Sequence, residues 1–259
     1  MTILIMFQAV KYRNFKIFYT EFMLIYWKEY FPNTPSYNRF VELIPNALVP
    51  LTEFVSQHNG KHIDIYYVDA TQLPVCHNLR EKRHKVFGLA AGKNKTSTGW
   101  FFGLKLHFVV NNLCEIISFR VTRGNVDDRT PLLEMCKSLK GMIFGDRGYI
   151  SKPKSDLLKT QDLKLITTLK KNMKKVFRTR YERQLLRQRG IIETMFGYLK
   201  NNLMLWHTRH RSPVNACVHL MACLANWIIK SISIIGQKKL NATSAVISNS
   251  AYLEGMLIF

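Results

Sequence analysis

Two apolar runs in this chain each stop on an aspartate, and that repetition limits the folds open to it. Ile-Asp-Ile-Tyr-Tyr-Val-Asp (63–69) is rich in β-branched and aromatic residues and closes on Asp69. Gly-Met-Ile-Phe-Gly-Asp (141–146) closes on Asp146, and Arg147, Gly148 and Tyr149 turn the chain at once. Short apolar runs bounded by turn residues read as buried strands. In a sheet flanked by helices, sites form at the carboxyl ends of strands, so both acids are expected at one sheet edge. A third acid, Glu193, falls in the stretch 185–200, which reads as a helix. Its stripe Ile192, Met195, Leu199 and Leu203 has helical spacing. Arg189 and Lys200, four residues before Glu193 and seven after, share its face.

The other elements follow from periodicity and breakers. Residues 1–58 read as helical, with Phe15, Phe18, Tyr19, Phe22, Ile25 and Tyr26 on one face and Phe31-Pro32-Asn33-Thr34-Pro35 as a break before a Ser36 cap. Strands are expected at 62–69, 100–110, 115–122, 141–146 and 163–169. A hairpin turn is expected at Asn111-Asn112. The stretch 74–99, with its glycines and Ser/Thr cluster, reads as a basic loop. Asp127 or Asp128 caps a helix running to about Leu139, a short helix covers 153–160, and 213–235 is an apolar packing helix. Strands alternating with helices after a hairpin predict an α/β fold: a mixed sheet flanked by helices, with an N-terminal helical region. The expected divisions are 1–61 helical, 62–212 catalytic, 213–235 a packing helix and 236–259 a tail.

Charge narrows the function. The 259 residues carry a net charge of +21. Such an excess repels itself and calls for an anionic partner, nucleic acid first. Basic residues crowd the segment before Glu193, including Lys170, Lys171, Lys174 and Lys175, and the 74–99 loop, including Arg83 and Lys85. With Lys105, Arg147, Arg189 and Lys200 they are the expected phosphate contacts. The five cysteines form no C-x-x-C pair, so neither a disulfide framework nor a zinc knuckle is expected. No secretory signal opens the chain. His219, Asn226 and Lys230 interrupt the most apolar stretch, and no membrane partner is expected.

Transfer at a phosphodiester needs an activated oxygen nucleophile and a stabilised leaving oxygen, and two divalent ions about 4 Å apart can supply both. Mg²⁺ prefers carboxylate and water oxygen and needs few protein ligands. Asp69, Asp146 and Glu193 are therefore the candidate catalytic and metal-holding residues. Taken singly, each has an ordinary structural role as a turn, cap or solvated residue; their joint placement carries the reading.

Longer strings sharpen it. Asp69-Ala-Thr-Gln-Leu-Pro-Val-Cys-His-Asn, Gly-Trp-Phe-Phe-Gly-Leu-Lys-Leu-His (99–107), Thr-Arg-Gly-Asn-Val-Asp-Asp-Arg (122–129), Gly-Asp-Arg-Gly-Tyr-Ile-Ser (145–151) and the Arg189, Glu193, Lys200 spacing resemble the DDE transposases of bacterial insertion sequences, closest to the insertion-sequence group nine-eighty-two. The resemblance covers about residues 1–235. It implies a ribonuclease-H-like fold and strand cleavage and transfer at element ends with Mg²⁺ or Mn²⁺. It further implies a bacterial cytoplasmic, nucleoid-associated setting and a homodimer or higher assembly on DNA. The three metal-holding acids of the family fall on Asp69, Asp146 and Glu193. Leu186 stands where the broader signature has a tyrosine. The resemblance also implies that the chain begins inside a longer helical region and that the tail after Gly236 is read-through. A truncated DNA-binding relic without catalysis, and a metal-dependent nuclease of the same fold, are the alternatives.

Overall fold

The computed structural model describes residues 1–232 except 11, 97–98, 170, 175 and 207–209. The N-terminal region holds α1 (Thr2–Ala9), then α2 (Phe15–Ile17) and α3 (Leu24–Tyr26) joined by a π-helical turn, Phe18–Met23. Next come α4 (Tyr37–Leu43), capped by the Ser36 side chain, and α5 (Leu48–Gln57). Phe18, Tyr19 and Met23 are fully buried in an aromatic cluster that Phe15 and Phe40 join. The expected helix face is therefore a core through Phe22, while Ile25 and Tyr26 are exposed beyond it.

Six strands form one sheet. They are β1 (Ile65–Cys76), β2 (Gly92–Thr96), β3 (Gly99–Asn111), β4 (Ile116–Arg123), β5 (Gly141–Gly145) and β6 (Leu163–Thr167). The order is β2-β3-β1-β5-β6, with β4 also pairing β3. β1, β3 and β4 are antiparallel neighbours; β1, β5 and β6 run parallel. Between them lie α6 (Leu132–Met135) and α7 (Lys152–Lys159), and after them α8 (Arg180–Arg187), α9 (Gly190–Asn201) and α10 (Pro213–Ile232).

Side-chain alternation explains the layers. Tyr66, Val68, Val109 and Ile143 point to one face and pack with Leu132, Met135 and Leu158 of α6 and α7. Tyr67, Phe108 and Phe144 point to the other and pack with α5, α9 and α10. Strands covered on both faces read as continuous apolar runs, as Tyr66-Tyr67-Val68 does. Among the described residues, α10 alone is long and apolar enough to cross a membrane by length and composition. Its residues Val218, Leu220 to Ala225 and Ile228 are buried in this core. Asn226 Nδ2 donates to Ile5 O (3.3 Å) and Trp227 Nε1 to Cys114 O (3.2 Å), so α10 ties α1 to the sheet.

Three expectations are corrected. The 74–99 stretch is not all loop: β1 continues to Cys76, a 3-10 turn spans Asn78–Arg83, and β2 follows. Gly92 opens β2 there, and Gly103 of β3 faces β1 just beyond it. A Cβ on Gly103 would lie 2.1 Å from Leu73 O and one on Gly92 2.3 Å from Asn125 Oδ1. Secondly, Asp69 lies within β1, not at its end. Thirdly, the helix expected from Asp127 or Asp128 to Leu139 is only Leu132–Met135, and neither aspartate caps it. The tail 236–259 lies outside the described residues.

The close approach at Gly103 yields a prediction. Gly103→Val should cost roughly 2–4 kcal/mol, because a side chain there pushes β1 off β3. A thermal melt reads the loss; an unchanged Tm would refute the close packing.

Candidate active site

Register brings the first two acids together. β1 pairs β5 at Ile65↔Met142, Tyr66↔Ile143 and Tyr67↔Phe144. Two residues further on each strand are Asp69 and Asp146, on the parity of Tyr67 and Phe144 and hence toward the α9 face. β5 ends at Gly145 while β1 runs on beside β3, with Asp69 opposite Phe108. Asp69 thus marks where β1 loses one of its two neighbours, which is why the apolar run stops there. Asp146 Oδ1 accepts from Gly148 N at 2.8 Å and caps the turn Arg147–Tyr149.

Helices α8 and α9 deliver the third acid. Thr179 and Glu182 form a capping box at the start of α8, and Glu182 is buried against Lys164. The single helix expected over 185–200 is instead two, interrupted at Gln188 and Arg189. Tyr67 Oη donates to Gln188 Oε1 at 3.4 Å across the junction. Ile192, Met195, Phe196 and Leu199 bury one side of α9, leaving Glu193 exposed beside the sheet edge.

Arg189 joins the two parts. Its Nη1 lies 3.1 Å from Asp69 Oδ2 and its Nη2 2.7 Å from Glu193 Oε1. Burial pushes the Asp69 carboxyl up to about 6; the Ala70 N–H and Arg189 oppose the rise, while Asp146 and Glu193 add to it. Asp69 therefore senses both of the other acids. Their donor set is carboxylate oxygen alone, which fits a hard divalent cation, and their mutual repulsion is what such a cation would relieve. Among the described residues no three His, Cys, Asp or Glu side chains are gathered to ligating distance. The guanidinium of Arg189 lies between two of the acids.

The expected phosphate contacts divide. Arg147 is exposed directly after Asp146, and Lys171 and Lys174 are exposed on the segment leading to α8. Lys200 is half-buried, with Nζ 4.7 Å from the Trp206 ring centroid. Lys170 and Lys175 lie outside the described residues. Arg83 and Lys85 are exposed but follow Cys76, about 23 Å along β1 from Asp69, so they are not brought to the acids. Arg189 is engaged by carboxylates. Lys105 is a correction: it is 7% exposed, and its Nζ donates to Val126 O and Asp128 Oδ1, both at 2.9 Å. An ammonium held by two internal acceptors does not reach a phosphate.

That correction exposes a network the sequence reading missed. Asp128 also lies 3.9 Å from Nδ1 of buried His107, whose Nε2 pairs with Thr122 Oγ1 at 2.8 Å. Burial lowers the His107 pKa to about 4. Asp127 is clasped by Arg129 and falls to about 2. Tyr149, buried, sits close enough to Asp69, Asp128 and Asp146 that their charges add to the burial raising its pKa. The available signal was the alternation Lys105-Leu106-His107, two polar side chains on one face of a buried strand.

With this geometry in view, the comparisons are informative. A solved cryo-EM structure of a piggyBac transposase synaptic complex with hairpin DNA is similar at a TM-score of 0.55 and 12% identity. The match covers 90% of this chain and 65% of that one. At that identity the likeness is one of fold, and the fold is ribonuclease-H-like. The sequence profile described as the transposase DDE domain matches residues 59–213, and the chain belongs to that family. No curated protein matches it.

Two stability predictions follow. The folded chain binds the Asp69 proton more tightly than the unfolded chain, whose carboxyl stays near 3.8. Ionising Asp69 therefore costs stability progressively as pH rises from about 4 to 6. Asp69→Asn should raise stability at pH 7 by on the order of 1 kcal/mol, a gain that fades toward pH 4. Arg189→Gln should lower stability at pH 7 by about 1–2 kcal/mol and by less near pH 4.5, where protonated Asp69 no longer needs the cation. Melts of metal-free protein across pH test both; a pH-independent difference would contradict them.

Proposed function

We propose that the protein is a transposase of a bacterial insertion sequence, of the group nine-eighty-two type, cutting DNA at element ends and joining it to target DNA. The observation that carries this reading is the Arg189 guanidinium bridging Asp69 of β1 to Glu193 of α9 in a DDE-family chain, with Asp146 following the strand that pairs with β1. Asp69, Asp146 and Glu193 would hold Mg²⁺ or Mn²⁺. Bound divalent cations would supply Lewis-acid activation of an attacking oxygen and neutralise charge on the leaving one.

The chain's own residues do the rest. Asp69 is held in β1 opposite Phe108 and Asp146 caps the turn after β5, whereas Glu193 is exposed on a helix and tied to Arg189. Arg189 balances the carboxylates of Asp69 and Glu193, and its guanidinium would be available to a phosphate where a bound cation met that charge instead. Arg147, exposed beside Asp146, is placed to meet the DNA backbone. No serine, cysteine or histidine nucleophile is required, because water or a DNA hydroxyl attacks. The partner is DNA, and two or more copies assemble on it. The similarity to a transposase complexed with hairpin DNA supports the DNA reading at the level of fold.

Purified protein, labelled DNA carrying the element's end and Mg²⁺ or Mn²⁺ should give nicked and joined products. Asp146→Asn and Glu193→Gln should reduce them more than about a hundredfold while leaving DNA binding within a few fold. Cleavage without joining would favour a nuclease. Binding without products would favour a catalytically dead relic, and products unaffected by both substitutions would remove these acids from the reaction.

A further inference from the structure

The C-terminal end of α9 borders a groove of about 1160 Å³, larger than common small-molecule pockets. One wall comes from the N-terminal helical region and carries Arg13 and Tyr37; the other carries Lys200, Trp206 and Arg211. Among the described residues no Asp or Glu lines it, and none of the three cations is in an ion pair with a carboxylate. Trp206 is 48% exposed, with the Lys200 ammonium 4.7 Å from its ring centroid. Lys200 lies seven residues after Glu193 on the same helix face, about 10 Å along the axis. Asp69 is near enough that its charge acts on Lys200 against the burial that lowers the lysine's pKa. The groove thus opens beside the acid centre.

Cations without acids select a polyanion. A half-exposed indole adds something a duplex backbone does not use. Paired bases are stacked on one another, while an unpaired base offers a free face to an aromatic ring. We propose that this groove holds the unpaired DNA strand next to the reacting phosphate, with a base stacked on Trp206 and phosphates against Arg13, Lys200 and Arg211. The proposal rests on the DNA-processing reading above and adds a second binding site to it, separate from the acids. A ring and three point charges recognise no base edge, so the preference is for single-strandedness and not for sequence.

The test compares two labelled duplexes of arbitrary sequence, one blunt and one with a short single-stranded tail, by fluorescence anisotropy in EDTA. The wild-type chain should bind the tailed duplex about tenfold more tightly. Trp206→Ala should abolish most of that preference and leave blunt-duplex affinity unchanged, while Trp206→Phe should retain it. Arg211→Gln should make the salt dependence of tailed-duplex binding shallower by about one unit of slope. Melting curves establish that each variant is folded. Equal wild-type affinity for both duplexes, or equal loss on both with Trp206→Ala, would overturn the groove assignment while leaving the transposase reading standing. Failure of the wild-type chain to bind either duplex would remove both.

Discussion

The parallel pairing of β1 with β5 is the constraint on which the rest of the structure depends. As far as Tyr67, β1 is hydrogen-bonded on both sides; beyond it only β3 remains as a partner. Asp69 stands at that change, where a polar side chain can leave the core without breaking a ladder. The same pairing carries Asp146 to the level of Asp69, because each lies two residues beyond the last register pair, Tyr67 and Phe144. Helices α6 and α7 close one face of the sheet. Helices α5, α9 and α10 close the other and set α9 against β1.

Electrostatics then governs the acid centre. Burial makes a charge costly at Asp69, and the charges of Asp146 and Glu193 add to that cost. Arg189 lowers it by reaching Asp69 and Glu193 with separate nitrogens of one guanidinium. The planar fork of arginine makes that double contact possible where the point charge of a lysine would not. The arrangement gives an acidic site a resident counterion in the metal-free protein. It also couples α9 to the central strand.

The basic surplus is unevenly used. Lys105 and Lys164 are consumed by internal acids, Arg189 by the acid centre, and Arg129 by Asp127. What remains for a polyanion lies on the surface: Arg147, Lys171 and Lys174 near the sheet edge, and Arg13 and Arg211 in the groove. Net charge alone did not separate the cations left on the surface from those that hold the fold.

The strands around both aspartates, the acids, the α9 stripe and the packing role of α10 were legible in the sequence, because each depends on local spacing: alternation, a 3.6-residue stripe, a turn after an apolar run. The strings around Asp69, Asp146 and Glu193 carried the family resemblance for the same reason. The 74–99 stretch misled because a glycine that marks a turn can equally open a strand in a tight place, as Gly92 does at the start of β2 against Asn125, and only the distant neighbour shows which is meant. Lys105, His107 and Asp128 lie within a short distance in space but up to 23 residues apart in the chain, and no local pattern reveals such a network. The sequence alone determined which acids the chain has and which elements carry them. Tertiary structure alone decided that Arg189 clasps two of them and that Lys105 is buried, since burial and ion pairing depend on neighbours distant in sequence. It also formed the basic groove, whose two walls come from opposite ends of the described chain.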